Sequence, residues 1–226
     1  MPTMPIEKSS AIYVPVDGVT LTGIITTPEP VSAIVAFAHG VSSSRFSPAN
    51  RYIANKLTDN GFATLLIDLL TPGERASSQQ RDMQANVAIL SSRLVRVIDW
   101  IKRNKSLRKL PLGVYGSNVS AIAALIAASE RPTDIEALVL CNARPDLVKD
   151  YLPTIKAPAL LIAGDKDRAQ LQFNREILES MQSDHHIEII TGTTHDLRDP
   201  HILEQIAQQG QGWFSRHLTG KFRNND

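Results

Sequence analysis

"GVYGSNVSAIAAL" (Gly113–Leu125) begins as an apolar run of strand length, breaks at a sharp turn, and continues in small residues that suit a helix. The same alternation repeats on both sides of it. Upstream, "SAIVAFAHG" (Ser32–Gly40) and "FATLLID" (Phe62–Asp68) are continuous apolar runs. Such runs indicate strands covered on both faces, as in a parallel sheet. Between them "SPANRYIANKLTDNG" reads as a helix with Ser47 as cap, Pro48 at the first helical position and Gly61 as the stop. A polar stretch with Pro72 and Gly73 follows, then about six turns of helix over Arg81–Asn104. There Val87, Leu90, Leu94, Val97, Ile98 and Ile101 recur at three- and four-residue spacing. Downstream, strands are expected at Leu112–Tyr115, Ala137–Cys141, Ala159–Ala163 and Ile187–Ile190. Helices are expected at Val119–Ser129, Ala169–Met181 and Pro200–Leu218.

At the N-terminal side, "AIYVPV" (Ala11–Val16) and "TLTGIIT" (Thr20–Thr26) flank Asp17-Gly18, the signal of a hairpin. Strand–helix alternation with an antiparallel hairpin at one edge predicts an α/β fold, about eight strands in a mostly parallel sheet with helices on both faces. We expect one domain over residues 1–226, frayed at about 1–9 and 219–226. No repeat, linker or low-complexity tract interrupts it.

The chain is 42% hydrophobic and 21% charged, with 24 basic residues against 23 acidic and a net charge of +1. That balance gives no footprint for nucleic acid or an anionic membrane. The basic run Ile101–Lys109 reads as a solvated helix end. A single cysteine, Cys141, allows no internal disulfide and fits a reducing compartment. The start "MPTMPIEKSS" lacks the pattern of a signal peptide, and no apolar stretch reaches the length of a bilayer span. The expected location is cytoplasmic.

Function is expected at the carboxyl ends of the parallel strands. There the sequence places "AHG" (Ala38–Gly40), "GSNVS" (Gly116–Ser120), "GDKD" (Gly164–Asp167) and "GTTHD" (Gly192–Asp196). The strand–turn–helix at Gly116–Ser120 has the spacing of a nucleophile elbow, G-x-S-x-G, with Asn118 at the centre and Ser120 in place of the second glycine. The order nucleophile, acid, histidine is that of α/β-hydrolases. His195, on a loop past the last strand, is the candidate base and acid. Asp167 is the candidate for holding its tautomer and stabilising the imidazolium. The backbone N–H groups of Val41 and Val119 are the candidate oxyanion hole, a role that tolerates valine because only the backbone acts.

With "FAHGVSSSRFSPANRYIA", "ATLLIDLLTPGE", "ARPDL", "APALLIAGDKD" and "GTTHDLRDP", the chain resembles the dienelactone hydrolase-like branch of the α/β-hydrolase family over about Ile12–Leu218. The resemblance implies a small, cap-less, cofactor-free esterase or lactonase, with Asp167 and His195 as acid and base. It implies a small-molecule ester, lactone or acidic ligand as partner. The short segment between Cys141 and Ala159 fits an open site without a lid.

The chain departs from the family at Asn118, where the family carries its serine. A carboxamide has a delocalised nitrogen lone pair and no hydroxyl for a base to deprotonate. Loss of the nucleophile leaves roughly 10³–10⁴-fold catalysis over water in a triad enzyme. Ser117 leaves the turn in another direction, and Ser120 reads as a tolerated small residue. His39 reads as a brace for the oxyanion loop. His185 and His186 face opposite sides of a strand, and His201 and His217 read as helix residues, so no metal site is expected. Cys141 reads as a small core residue. Arg45 and Arg144 either bind a ligand carboxylate or phosphate or tie down their loops. The glycines do not form a dinucleotide fingerprint.

Three functional expectations follow. The first is a hydrolase scaffold with a silent or weakly active elbow and a retained small-ligand pocket. The second is a carboxylic-ester or lactone hydrolase whose serine was deliberately substituted. The third is conversion of Asn118 by deamidation to an aspartate nucleophile, in the manner of the dehalogenase-like elbows.

Overall fold

The computed structural model describes residues 8–41, 43–80, 82–143, 148–166, 168–193 and 199–220. Eight strands form one sheet: β1 (Lys8–Val16), β2 (Val19–Thr27), β3 (Ala33–His39), β4 (Phe62–Asp68), β5 (Leu112–Ser117), β6 (Ala137–Cys141), β7 (Ala159–Gly164) and β8 (His185–Ile190). Their spatial order is β1-β2-β4-β3-β5-β6-β7-β8. β1 pairs antiparallel with β2, and β2 with β4; all other pairs are parallel. The hairpin ladder runs from Val16↔Val19 out to Lys8↔Thr27, so both strands exceed the expected ranges and Lys8 and Ser9 are not frayed. Polar termini hide this extension from the sequence, because the ladder is held by backbone groups whatever the side chains.

The helices are α1 (Pro48–Asp59), α2 (Pro72–Ser77), α3 (Met83–Arg103), α4 (Val119–Glu130), α5 (Arg168–Ser180) and α6 (Pro200–Phe214). Ser47 sits at the N-cap of α1, but its side chain makes no capping bond; Pro48 opens the helix. Gly61 adopts φ +83° just past the end of α1 and ends it as expected. α3 begins at Met83 with Asp82 as its cap, the Asp82 carboxylate accepting from Ala85 N at 2.7 Å; Arg81, the first residue of the expected helix, lies outside the described residues. α2 falls in the polar stretch with Pro72 and Gly73, where no helix is expected from the sequence. The last turn after α6, Ser215–Thr219, widens to π geometry.

Alternation along β3 divides the core. Ile34, Ala36 and Ala38 face one layer, which includes Leu90, Leu94 and Ile98 of α3 and the alanine-rich α4. Ala33, Val35 and Phe37 face the other, with Ile53 and Leu57 of α1 and Trp213 and Phe214 of α6. β3, β4, β5, β6 and β7 are buried along nearly their whole length, as their apolar runs predict. Parallel register brings His39 beside Asp68, Ser117 beside Cys141 and Gly164 beside Ile190, so the strand ends share one edge. Between β6 and β7 the described residues include a short 3₁₀ segment, Lys149–Thr154. Among the described residues no helix is long and apolar enough to cross a membrane.

Candidate functional site

The turn between β5 and α4 is built from backbone up. Asn118 is exposed and holds φ 52° and ψ −122°, a region that L residues seldom occupy. Its N–H donates to Cys141 O at 2.9 Å, and its carbonyl accepts from Ala121 N at 3.0 Å. The strand before and the helix after are thus pinned while the chain reverses between them. Gly116 permits the reversal: a Cβ there would lie 2.7 Å from Ser120 O and 2.9 Å from Ala121 Cα. Those are backbone atoms and cannot swing away. Ser117 ends β5 half-buried, and Ser120 is buried in the first turn of α4.

Gly40 brings the neighbouring loop against this turn. A Cβ on it would meet Ser120 Oγ at 2.8 Å and Leu90 Cδ1 at 2.7 Å. The loop after β3 therefore packs on the start of α4, and Val41 and Val119 are both part-buried there. Among the described residues, neither of their N–H groups has an acceptor. Two unengaged amide donors on adjacent segments are suited to an anionic oxygen.

Asp167 and His195 lie outside the described residues, as does Arg144. The segments that lead to the first two are joined. Asp165 N donates to Ile190 O at 3.1 Å, Gly192 N to the Asp165 carboxylate at 2.8 Å, and Lys166 N to Thr193 O at 3.1 Å.

Arg45 is tied to the end of β4. Its guanidinium pairs with the buried Asp68 carboxylate, and its own N–H donates to the same group at 2.8 Å. Arg75 joins from α2, 3.2 Å from Asp68, and donates to Ser43 O at 2.6 Å. One carboxylate at the end of β4 thus holds two cations and the loop that carries Val41. Arg45 and Arg75 also line a cavity of about 720 Å³ together with Val41, Phe46, Leu70 and Thr22. Asn118 is not among its described lining residues. A second cavity of about 560 Å³ lies between α3 and the C-terminal end of α4 and is lined by no strand-end residue.

His39 is buried under this loop. Asn50 Nδ2 lies 3.0 Å from its Nδ1, and its Nε2 has no partner among the described residues. Burial drives its pKa down to about 4; Arg75 and Arg45 push the same way, and Asp68 opposes them. The ring is therefore neutral near pH 7. Cys141 is also buried: desolvation pushes its thiol up to about 12, and Tyr115 Oη lies 3.4 Å from its sulfur. A thiol so raised is not a nucleophile near pH 7, in keeping with a core role. Among the described residues no cluster of three His, Cys, Asp or Glu side chains could hold a metal ion.

Sequence reasoning missed the Asp68 hub and the group behind it. Glu74 accepts from Thr71 N at 2.9 Å and from Arg93 at 2.6 Å, and Arg93 also donates to Leu69 O at 2.8 Å. Arg93 is the main cause that holds the Glu74 pKa down to about 2. A signal was present: "TPGE" (Thr71–Glu74) is a capping box with proline at the first helical position.

Comparison with known proteins agrees with the architecture. The dienelactone hydrolase family model matches residues 20–201. The crystal structure of a dienelactone hydrolase from Anabaena variabilis superposes with TM-score 0.89 at 39% identity, covering 96% of this chain and 100% of that one. An esterase from Pyrococcus furiosus shares the fold at TM-score 0.73 and 19% identity, over 95% of this chain and 94% of that one. A Mycobacterium tuberculosis protein provisionally named a phosphoribosyl transferase is 38% identical over 216 residues, which is 96% of this chain. The chain spans about half the length of that curated relative, 48%. With the family model matched over most of its length and the same sheet in a solved relative, the chain belongs to the dienelactone hydrolase family.

Proposed function

We propose that this chain is a carboxylic-ester or lactone hydrolase scaffold whose elbow, with Asn118 where the family has serine, is silent or weakly active as it stands and retains a small-ligand pocket. The observation that carries the reading is the Asn118 turn, φ 52° and ψ −122° between β5 and α4, next to the unengaged amides of Val41 and Val119. The site offers positioning and oxyanion donors, and the amide at its apex supplies no attacking oxygen. Asp167 and His195 are the proposed acid and base; the backbone bond from Lys166 to Thr193 supports bringing their loops together. The pocket is proposed to accept an ester, lactone or acidic small molecule. The transferase name of the mycobacterial relative belongs to a protein about twice as long, and the family match over residues 20–201 favours the hydrolase reading for this chain.

The test compares the chain with Asn118→Ser, using short-chain nitrophenyl esters and fluorophosphonate labelling. The unaltered chain should neither turn over nor label, and Asn118→Ser should gain both by at least roughly 10²-fold. Labelling and His195-dependent turnover by the unaltered chain would overturn the silent elbow. No gain in Asn118→Ser would overturn the intact surrounding machinery. Retention of Asp167 and His195 in the sequence equally fits a hydrolase whose serine was deliberately substituted, and a full gain in Asn118→Ser is the result that reading requires.

A further inference from the structure

The backbone torsion that makes the turn also sets Cβ of Asn118 beside the next backbone nitrogen. In an L residue, Cβ lies about 120° around the Cα–C bond from the residue's own nitrogen. At ψ −122° that offset carries Cβ almost into eclipse with the nitrogen of Val119. A helical ψ of about −42° or a strand ψ of about +135° turns Cβ well away from the next nitrogen. The eclipsed arrangement is the one that a five-membered ring of Cα, Cβ, Cγ, N and C requires. Val119 N–H has no acceptor among the described residues, so no bond holds it from reaction. The Asn118 side chain is exposed and makes no capping bond. The torsion is held in place, because Asn118 N–H is bound to Cys141 O and the Asn118 carbonyl to Ala121 N.

We infer that Asn118 is a self-modification site, at which the folded elbow drives ring closure of Asn118 onto Val119 N to give a succinimide and then a carboxylate. Val119 N loses its proton to solvent and bonds to Asn118 Cγ. The Cγ–Nδ2 bond breaks, and Nδ2 departs as ammonia after taking up a proton. Water then adds to one imide carbonyl and opens the ring. The sum is asparagine plus water giving aspartate plus ammonia, with no redox change. Opening at one carbonyl gives aspartate; opening at the other gives isoaspartate, with one more backbone carbon. Either product has a carboxylate at the turn where the amide offered no attacking oxygen. The inference goes beyond the hydrolase reading, and its readout is mass, independent of any substrate.

Two other asparagines serve as internal references. Asn60 precedes Gly61, the least hindered neighbour for this ring closure, yet its ψ of 21° turns Cβ away from the next nitrogen. Asn104 has ψ 124° and is turned away as well. Valine after Asn118 hinders attack in a flexible chain, so fold and local sequence predict opposite orders. The full chain is incubated at neutral pH, folded and in urea, and peptides covering Asn60, Asn104 and Asn118 are followed by mass spectrometry. In the folded chain Asn118 should pass through an ammonia-loss species and gain about one dalton. It should do so on the order of tenfold faster than Asn60. In urea the order should reverse. Asn118→Gln, which lengthens the side chain out of five-ring reach, should stay unmodified at that position. A folded-state rate at Asn118 no faster than in urea, or the same mass gain in Asn118→Gln, would overturn the inference.

Discussion

At the scale of single residues, the site rests on what side chains are absent as much as on those present. Gly116 lies where any Cβ would press on the backbone of α4. Gly116→Ala should destabilise the chain by about 1–3 kcal/mol, because overpacking against backbone cannot relax by rotamer change. Urea denaturation checks this, and an unchanged midpoint would show that α4 can shift. The identity of Asn118 was legible in the sequence, and so was the chemistry that a carboxamide lacks. Its ψ was not, because a torsion forced by two hydrogen bonds to other elements leaves no mark in residue order. The fate of Arg45 was equally hidden. Its partner, the Asp68 carboxylate, lies 23 residues away in the chain.

At the scale of elements, α2 shows both a success that was available and a limit. Thr71, Pro72 and Glu74 spell its start, since the Thr71 side chain accepts from Glu74 N while Glu74 returns to Thr71 N. Thr71→Ala should cost about 1 kcal/mol, the usual loss for a capping side chain, read as a lowered denaturation midpoint. Larger effects would come from loosening Arg75, which α2 presents to Asp68 and Ser43. That second duty could not be read from "TPGE", because it depends on where β4 ends relative to β3. The apolar runs of β3 to β7 announced themselves by length alone, whereas β1, β2 and β8 reach further than their apolar residues because backbone pairing carries them on.

At the scale of the whole molecule, the layers around the sheet impose a pH dependence. His39 is neutral when folded, with its pKa held at about 4 against an ordinary value of 6.5. The unfolded chain binds this proton more readily. The stability this contributes is therefore complete above about pH 6.5 and is lost as pH falls toward 4. Melting temperature should decline across that window, and His39→Gln should flatten the decline; an equal slope in both proteins would remove His39 as its cause. By itself, the sequence determined the α/β alternation, the parallel strands, the strand–turn–helix spacing around Gly116–Ser120 and the amide at the turn. Each of these is written in short-range periodicity or in residue type. Only the tertiary structure decided which loop Asp68 clamps, that burial lowers the His39 pKa, and that Asn118 Cβ lies in near eclipse with the nitrogen of Val119. Those outcomes follow from the strand order β2-β4-β3-β5-β6, which sets Asp68 beside His39 and Cys141 O beside Asn118 N, and from the packing of α4 on Gly40, contacts between segments far apart in the chain.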